Sequence, residues 1–110
     1  MNNWGIPIDV EARIRNRDKN CVYCQIRMLD YRHRRGVPKD KATLEHINNN
    51  DPRPSLINNA VCCGACNTSK GTKPLLKWFE SEYCRKWNIN ERTVAPVVKR
   101  WLREYPRSRR

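Results

Sequence analysis

Cys21-Val22-Tyr23-Cys24 and Cys63-Gly64-Ala65-Cys66 repeat one spacing, and the reading of these two stretches decides the fold. Each holds two thiols at the separation that lets both reach a single tetrahedral ion, with bonds of about 2.3 Å. Together Cys21, Cys24, Cys63 and Cys66 make the ligand set of a closed structural zinc site. The 38 residues between Cys24 and Cys63 exceed the interval of a simple zinc ribbon, so the ion has to join segments remote in sequence. The competing assignment is unligated thiols or disulfides. No apolar run approaches the roughly 20 residues that cross a bilayer. The start "MNNWGIPIDVEARIR" also lacks a charged beginning followed by an apolar segment, so the expectation is an intracellular chain with no membrane partner. Disulfides seldom persist in a reducing compartment, which favours zinc. Cys62 and Cys84 fall outside the scheme and are expected as small buried apolar residues.

A chain of 110 residues, 38% of them hydrophobic, suffices for one domain over 1–110 with a core that is thin for its length. A four-thiolate zinc site offsets that thinness with on the order of 10 kcal/mol of folding free energy, by analogy with zinc-finger peptides. The 23 Lys and Arg against 11 Asp and Glu leave a formal charge of +12, which points to a polyanionic partner, nucleic acid first. The bland alternative is a solvated basic surface. The charge opposes self-association at low salt, and the choice between monomer and homodimer stays undecided.

Residues 9–17, "DVEARIRNR", read as a short helix with Asp9 capping its first turn and Val10 and Ile14 on one face. After "CVYC", residues 30–41 form a basic connection broken by Gly36 and Pro38. "ATLEHI" offers a strand, and 48–55, "NNNDPRPS", is dense in turn formers. "LINNAV" leads into the second Cys pair, and Gly71 is placed to end a short helix. In "KPLLKWFESEYCRKW", Leu75, Leu76, Phe79, Tyr83 and Trp87 recur at helical spacing. "TVAPVVKRWLREY" gives Val94, Val97, Val98, Trp101, Leu102 and Tyr105, with Pro96 in the first turn. These stripes predict two C-terminal helices packed on the Cys-containing centre, with only "RSRR" as a tail.

Thr43-Leu44-Glu45-His46-Ile47 places a carboxylate and an imidazole side by side at the end of the strand. Asn67 follows the fourth Cys directly. Glu45 and Asn67 are hard oxygen donors suited to magnesium or manganese that keeps several waters. A neutral imidazole at His46 can take a proton from water while the ion stabilises charge on a phosphate and its leaving oxygen. Those are the parts of phosphodiester hydrolysis.

"CVYC", "LEHI", the Asn58 region and "CGACNTSKG" together resemble the His-Asn-His (HNH) endonuclease family with its ββα-metal fold. The resemblance covers about residues 12–71. It implies a small zinc-stabilised α+β fold with a ββα-metal core, to which the helical spacing adds an N-terminal helix and two helices in an extension over about 72–106. It also implies that His46 is the general base and that Glu45 and Asn67 hold the catalytic ion. Asn58, five residues before the third zinc Cys, would then brace the loop that orients the base, with Asn59 the alternative. The family's third position takes His or Asn, so Asn67 is a recognised form. Glu45 stands where Asp is more usual, which lengthens the reach by one methylene. The loop "INNNDPRPSLI" lacks the usual Gly pair; within it Asp51 is either near the ion or, more plainly, a turn former before Pro52.

Arg32, Arg34 and Arg35 are candidate DNA contacts, and His33 among them suits a surface or phosphate-contacting role better than catalysis. Lys70 is expected either at a phosphate or as a solvated helix residue. The residues 32–41 and the stretch "KRWLREYPRSRR" are candidates for groove contact. Binding carried by phosphates falls steeply with salt. A single site of this kind cuts one strand. The alternatives are a non-catalytic zinc module that binds nucleic acid, and a zinc-stapled interaction protein whose DNA affinity is weak and indifferent to salt.

Overall fold

The computed structural model describes residues 6–28, 42–48, 56 and 58–104. Helix α1 spans Ile8–Arg17, with Pro7 at its N-cap and the Glu11 amide bonded to the Pro7 carbonyl at 2.9 Å. Asp9 therefore lies inside the first turn and caps nothing, because the rigid Pro7 starts the helix earlier than the sequence suggests. There Asp9 and Glu11 face the positive end of the helix dipole, with Arg15 and Arg17 at the other end. Ile14 is fully buried and Val10 packs beside the core.

Strands β1 (Ala42–His46) and β2 (Asn59–Cys63) pair antiparallel, from Ala42 opposite Cys63 to His46 opposite Asn59. Alternation puts Thr43 and Glu45 on one face with Ala60 and Cys62, and Leu44 and His46 on the other with Val61 and Asn59. All five residues of β2 are buried. Its outer edge is covered too: the Val61 amide donates to Asp18 Oδ2 at 3.0 Å, and the Val61 carbonyl accepts from the Val22 amide at 3.3 Å. Buried backbone groups need such partners, so the chain after α1 acts as a partial third strand.

Helix α2 (Gly64–Lys70) follows β2 with no intervening loop, and its N-cap is Cys63, whose Sγ accepts from the Cys66 amide at 3.4 Å. Gly71 ends it at φ 53°, a left-handed backbone that glycine adopts without cost. The helix lies across β1: Asn67 Nδ2 donates to Thr43 Oγ1 at 3.1 Å.

Three helices follow where two were expected: α3 (Leu75–Phe79), α4 (Glu82–Trp87) and α5 (Pro96–Glu104). The continuous stripe over 73–87 breaks at Ser81, whose hydroxyl accepts from the Cys84 amide at 3.2 Å and starts a new helix. The break resets the helical phase. Trp78 is fully buried, Phe79 and Tyr83 lie at the core's margin, and Trp87, expected inside, is 56% exposed. Pro96 is the first residue of α5, as its missing amide requires, and Val98, Trp101 and Leu102 form its inner face. Tyr105 lies outside the described residues.

One core unites these elements, with Trp78 and Trp101 its largest buried side chains. Trp78 meets Tyr23 edge-on at 4.9 Å and donates Nε1 to Ser69 Oγ at 3.0 Å. No helix among the described residues is long and apolar enough to cross a membrane.

Candidate metal centre and polar site

The first Cys pair sits in a tight knuckle after α1. The Cys21 amide donates to the Ile26 carbonyl at 2.9 Å and the Gln25 amide to Cys21 at 3.0 Å, with Gln25 at φ 68°. The second pair joins the end of β2 to the first turn of α2. The antiparallel register and the Val22–Val61 bond bring the two knuckles together, and the four sulfurs lie within 4.8 Å of one another. Cys24 and Cys63 are 3.7 Å apart, against an edge of about 3.8 Å for a tetrahedron with zinc–sulfur bonds of about 2.3 Å. Amides already point at the sulfurs: Tyr23 and Cys24 donate to Cys21 at 3.4 and 3.5 Å. Tyr83 Oη lies 3.3 Å from Cys66 Sγ.

The thiols disturb one another. The hydrogen bond with Cys21 pulls Cys24 far below the ordinary thiol range, while hydrogen bonding to Cys21 and Cys24 holds Cys63 and Cys66 far above it. Four sulfurs this close lose their first protons readily and resist losing the later ones, because each new thiolate repels the last. A divalent cation at the centre removes the conflict, and the sulfur donor set suits zinc. The cluster is the expected one, residue for residue: Cys21, Cys24, Cys63 and Cys66. Cys62 and Cys84 are buried outside it, and desolvation raises both thiols.

Glu45 lies on the face of β1 that α2 covers and is 6% exposed. Tyr23 Oη donates to its Oε2, and Lys70 Nζ stands 3.6 Å from its Oε1. Burial pushes the Glu45 carboxyl above the usual carboxylate range, against the pull of Lys70 and Tyr23. Lys70, expected at a phosphate or in solvent, is fully buried instead, and its Nζ also donates to the His46 carbonyl at 3.4 Å. An ammonium so enclosed serves the fold's interior and not a DNA surface.

His46 ends β1, and its Nε2 is enclosed with no hydrogen-bond partner among the described residues. Asn58 closes the loop that follows. Its Oδ1 accepts from the Asn48 amide at 2.7 Å, its Nδ2 donates to the Asn48 carbonyl at 3.2 Å, and its carbonyl accepts from Ile47 at 2.7 Å. Asn59, the alternative, lies in β2 opposite His46. Asn67 donates through Nδ2 to Thr43, two residues from Glu45 on the same face, while its Oδ1 accepts no hydrogen bond among the described residues. Glu45 and Asn67 thus lie on packed elements, with both Glu45 oxygens already met by Tyr23 and Lys70.

Arg32, His33, Arg34, Arg35 and Asp51 lie outside the described residues. Tyr23, Thr43, Arg17 and Asp18 also shape the site, beyond the residues that the sequence motifs single out. Of these only Tyr23 carries a local signal, its place between two zinc-spaced cysteines. No family model, no curated protein and no solved structure matches the chain.

Proposed function

We propose that this chain is a metal-dependent DNA endonuclease of the HNH type, acting inside the cell. What supports the reading is one juxtaposition: a hairpin whose first strand ends in Glu45-His46, whose loop is closed by Asn58, and whose second strand runs through the four-Cys cluster into α2. That order, strand, strand and helix, is what the ββα-metal resemblance implies.

In this reading His46 accepts the proton of a water that attacks phosphorus, and Asn58 fixes the backbone just beyond it so that the imidazole is held for that transfer. Glu45 and Asn67 would hold a divalent cation, which supplies positive charge at the phosphate and the leaving oxygen. The zinc-ligating cysteines do no chemistry; they hold β2 and α2 against the knuckle that carries Tyr23. The excess of Lys and Arg attracts the backbone phosphates, and a single site nicks one strand.

The test is strand cleavage of supercoiled plasmid by zinc-loaded protein with added magnesium or manganese. Nicking lost in His46→Ala with DNA affinity retained is the expected result. Identical behaviour of the two proteins, with or without the added metal, overturns it. Two observations favour a second reading, a non-catalytic zinc module that binds nucleic acid: both Glu45 oxygens are already engaged, by Tyr23 and Lys70, and His46 Nε2 is enclosed. That reading predicts salt-dependent DNA binding with no cleavage under any metal.

A further inference from the structure

The helix that carries Asn67 ends in a lysine that points inward, and where its charge goes is the most informative feature outside the metal cluster. Lys70 has no exposed surface, yet its Nζ lies 3.6 Å from Glu45 Oε1 and 3.4 Å from the His46 carbonyl. Burying an ammonium is costly unless a counter-charge and acceptors meet it, and here the acceptors are the two residues of the candidate site. The opposite carboxylate oxygen of Glu45 is held by Tyr23, which sits between Cys21 and Cys24 and stacks edge-on against Trp78. Glu45 is therefore gripped from α2 on one side and from the zinc knuckle on the other.

We propose that Lys70 is a positioning residue: its buried ammonium fixes Glu45 and the backbone of His46 from within, with Tyr23 as the second anchor, and it makes no contact with DNA. This rests on the nuclease reading for its effect on rate, but not for its effect on structure. Removing the charge leaves Glu45 buried with one partner and frees the last residue of β1 to shift. A displacement on the order of 1 Å at a catalytic group costs about 100-fold in rate.

The experiment compares wild type, Lys70→Met, Glu45→Gln and the double variant, all loaded with zinc. Lys70→Met should keep its zinc and keep the slope of DNA affinity against salt. Its kcat should fall about 100-fold with KM unchanged, and the imidazole NMR signals of His46 should move. A lysine bound to a phosphate would instead lower the salt slope by about one and leave the imidazole signals in place, and that result overturns the proposal. Unchanged kcat in an active enzyme overturns it as well. Should the wild type cut no DNA, the nuclease reading fails alone. The positioning role is then decided by the His46 signals and by thermal stability, where the two single losses must exceed that of the double variant. Additive losses with unmoved signals overturn it. Where Lys70→Met does not fold, the double variant, lacking the unpaired buried charge, carries the comparison of His46 signals with Glu45→Gln.

Discussion

Asp18 is a buried charge that settles a strand edge. It is 8% exposed, accepts from Arg17 Nε at 2.7 Å and Nη2 at 2.8 Å, and takes the Val61 amide at 3.0 Å. Arg17 continues to the carbonyls of Leu56 and Asn59, so the pair clamps the outer edge of β2 to the end of α1. Replacing the carboxylate strands the Val61 amide in the interior, and a charged acceptor lost there costs about 1.5–3 kcal/mol. Asp18→Ala should lower the urea midpoint accordingly. Asp18→Asn, which keeps an oxygen, should lose less, and equal losses would show that the amide finds another acceptor. Little of this was legible in sequence. Asp18 looks like any polar residue after a helix, and Lys70 like any exposed one in "NTSKG"; the partner carbonyl of Lys70 lies 24 positions away. Burial of a charge is set by tertiary contact, which leaves no local mark. The cysteines differ because ligand spacing is itself local: two residues between thiols is a property of the knuckle and needs no knowledge of the rest.

At the scale of elements, the same limit explains why α2 was foreseen and α3 and α4 were not separated. Gly71 ends α2 because its φ of 53° excludes most other residues, and that requirement is visible in the residue type. Ser81 is ambiguous: in a continuous helix it would be a tolerated surface residue, and at a break it is a strong N-cap. The apolar period through 75–87 favours the first option, and the tertiary packing of Trp78 on Tyr23 and Ser69 selects the second. Two consequences can be measured. Ser81→Ala should cost about 1 kcal/mol as a lost cap, which a surface serine within a continuous helix would not. Trp78→Ala should cost about 3–5 kcal/mol, whereas Trp87→Ala, at an exposed position with Lys86 Nζ 5.4 Å from the ring, should stay within about 0.5 kcal/mol. Equal losses from the two tryptophans would restore the single-helix stripe.

For the molecule as a whole, the four-Cys cluster lies where three parts of the chain meet. Besides joining the two knuckles, the first one holds the turn before α5: Gln25 Nε2 donates to the Thr93 carbonyl at 3.0 Å, and the Val22 carbonyl accepts from the Ala95 amide at 2.8 Å. Behind it Tyr23 reaches Trp78, and Tyr83 of α4 reaches Cys66. Loss of the ion should therefore release the C-terminal helices together with the hairpin, since the knuckle that anchors both loses the four bonds that tie it to β2 and α2. Removing a structural zinc forfeits on the order of 10 kcal/mol, which exceeds what a thin core of this size holds in reserve. Titrating the zinc protein with a chelator should thus give one transition, with far-ultraviolet dichroism and tryptophan fluorescence changing at the same midpoint. Cys24→Ser and Cys66→Ser should each reproduce the metal-free state. Lowering the pH should weaken zinc affinity, because protons compete for the thiolates, and so shift the midpoint to lower chelator concentration. A fluorescence signal that survives chelation while the dichroism collapses would mean that α3 to α5 stand on their own core, and that zinc fastens the hairpin alone.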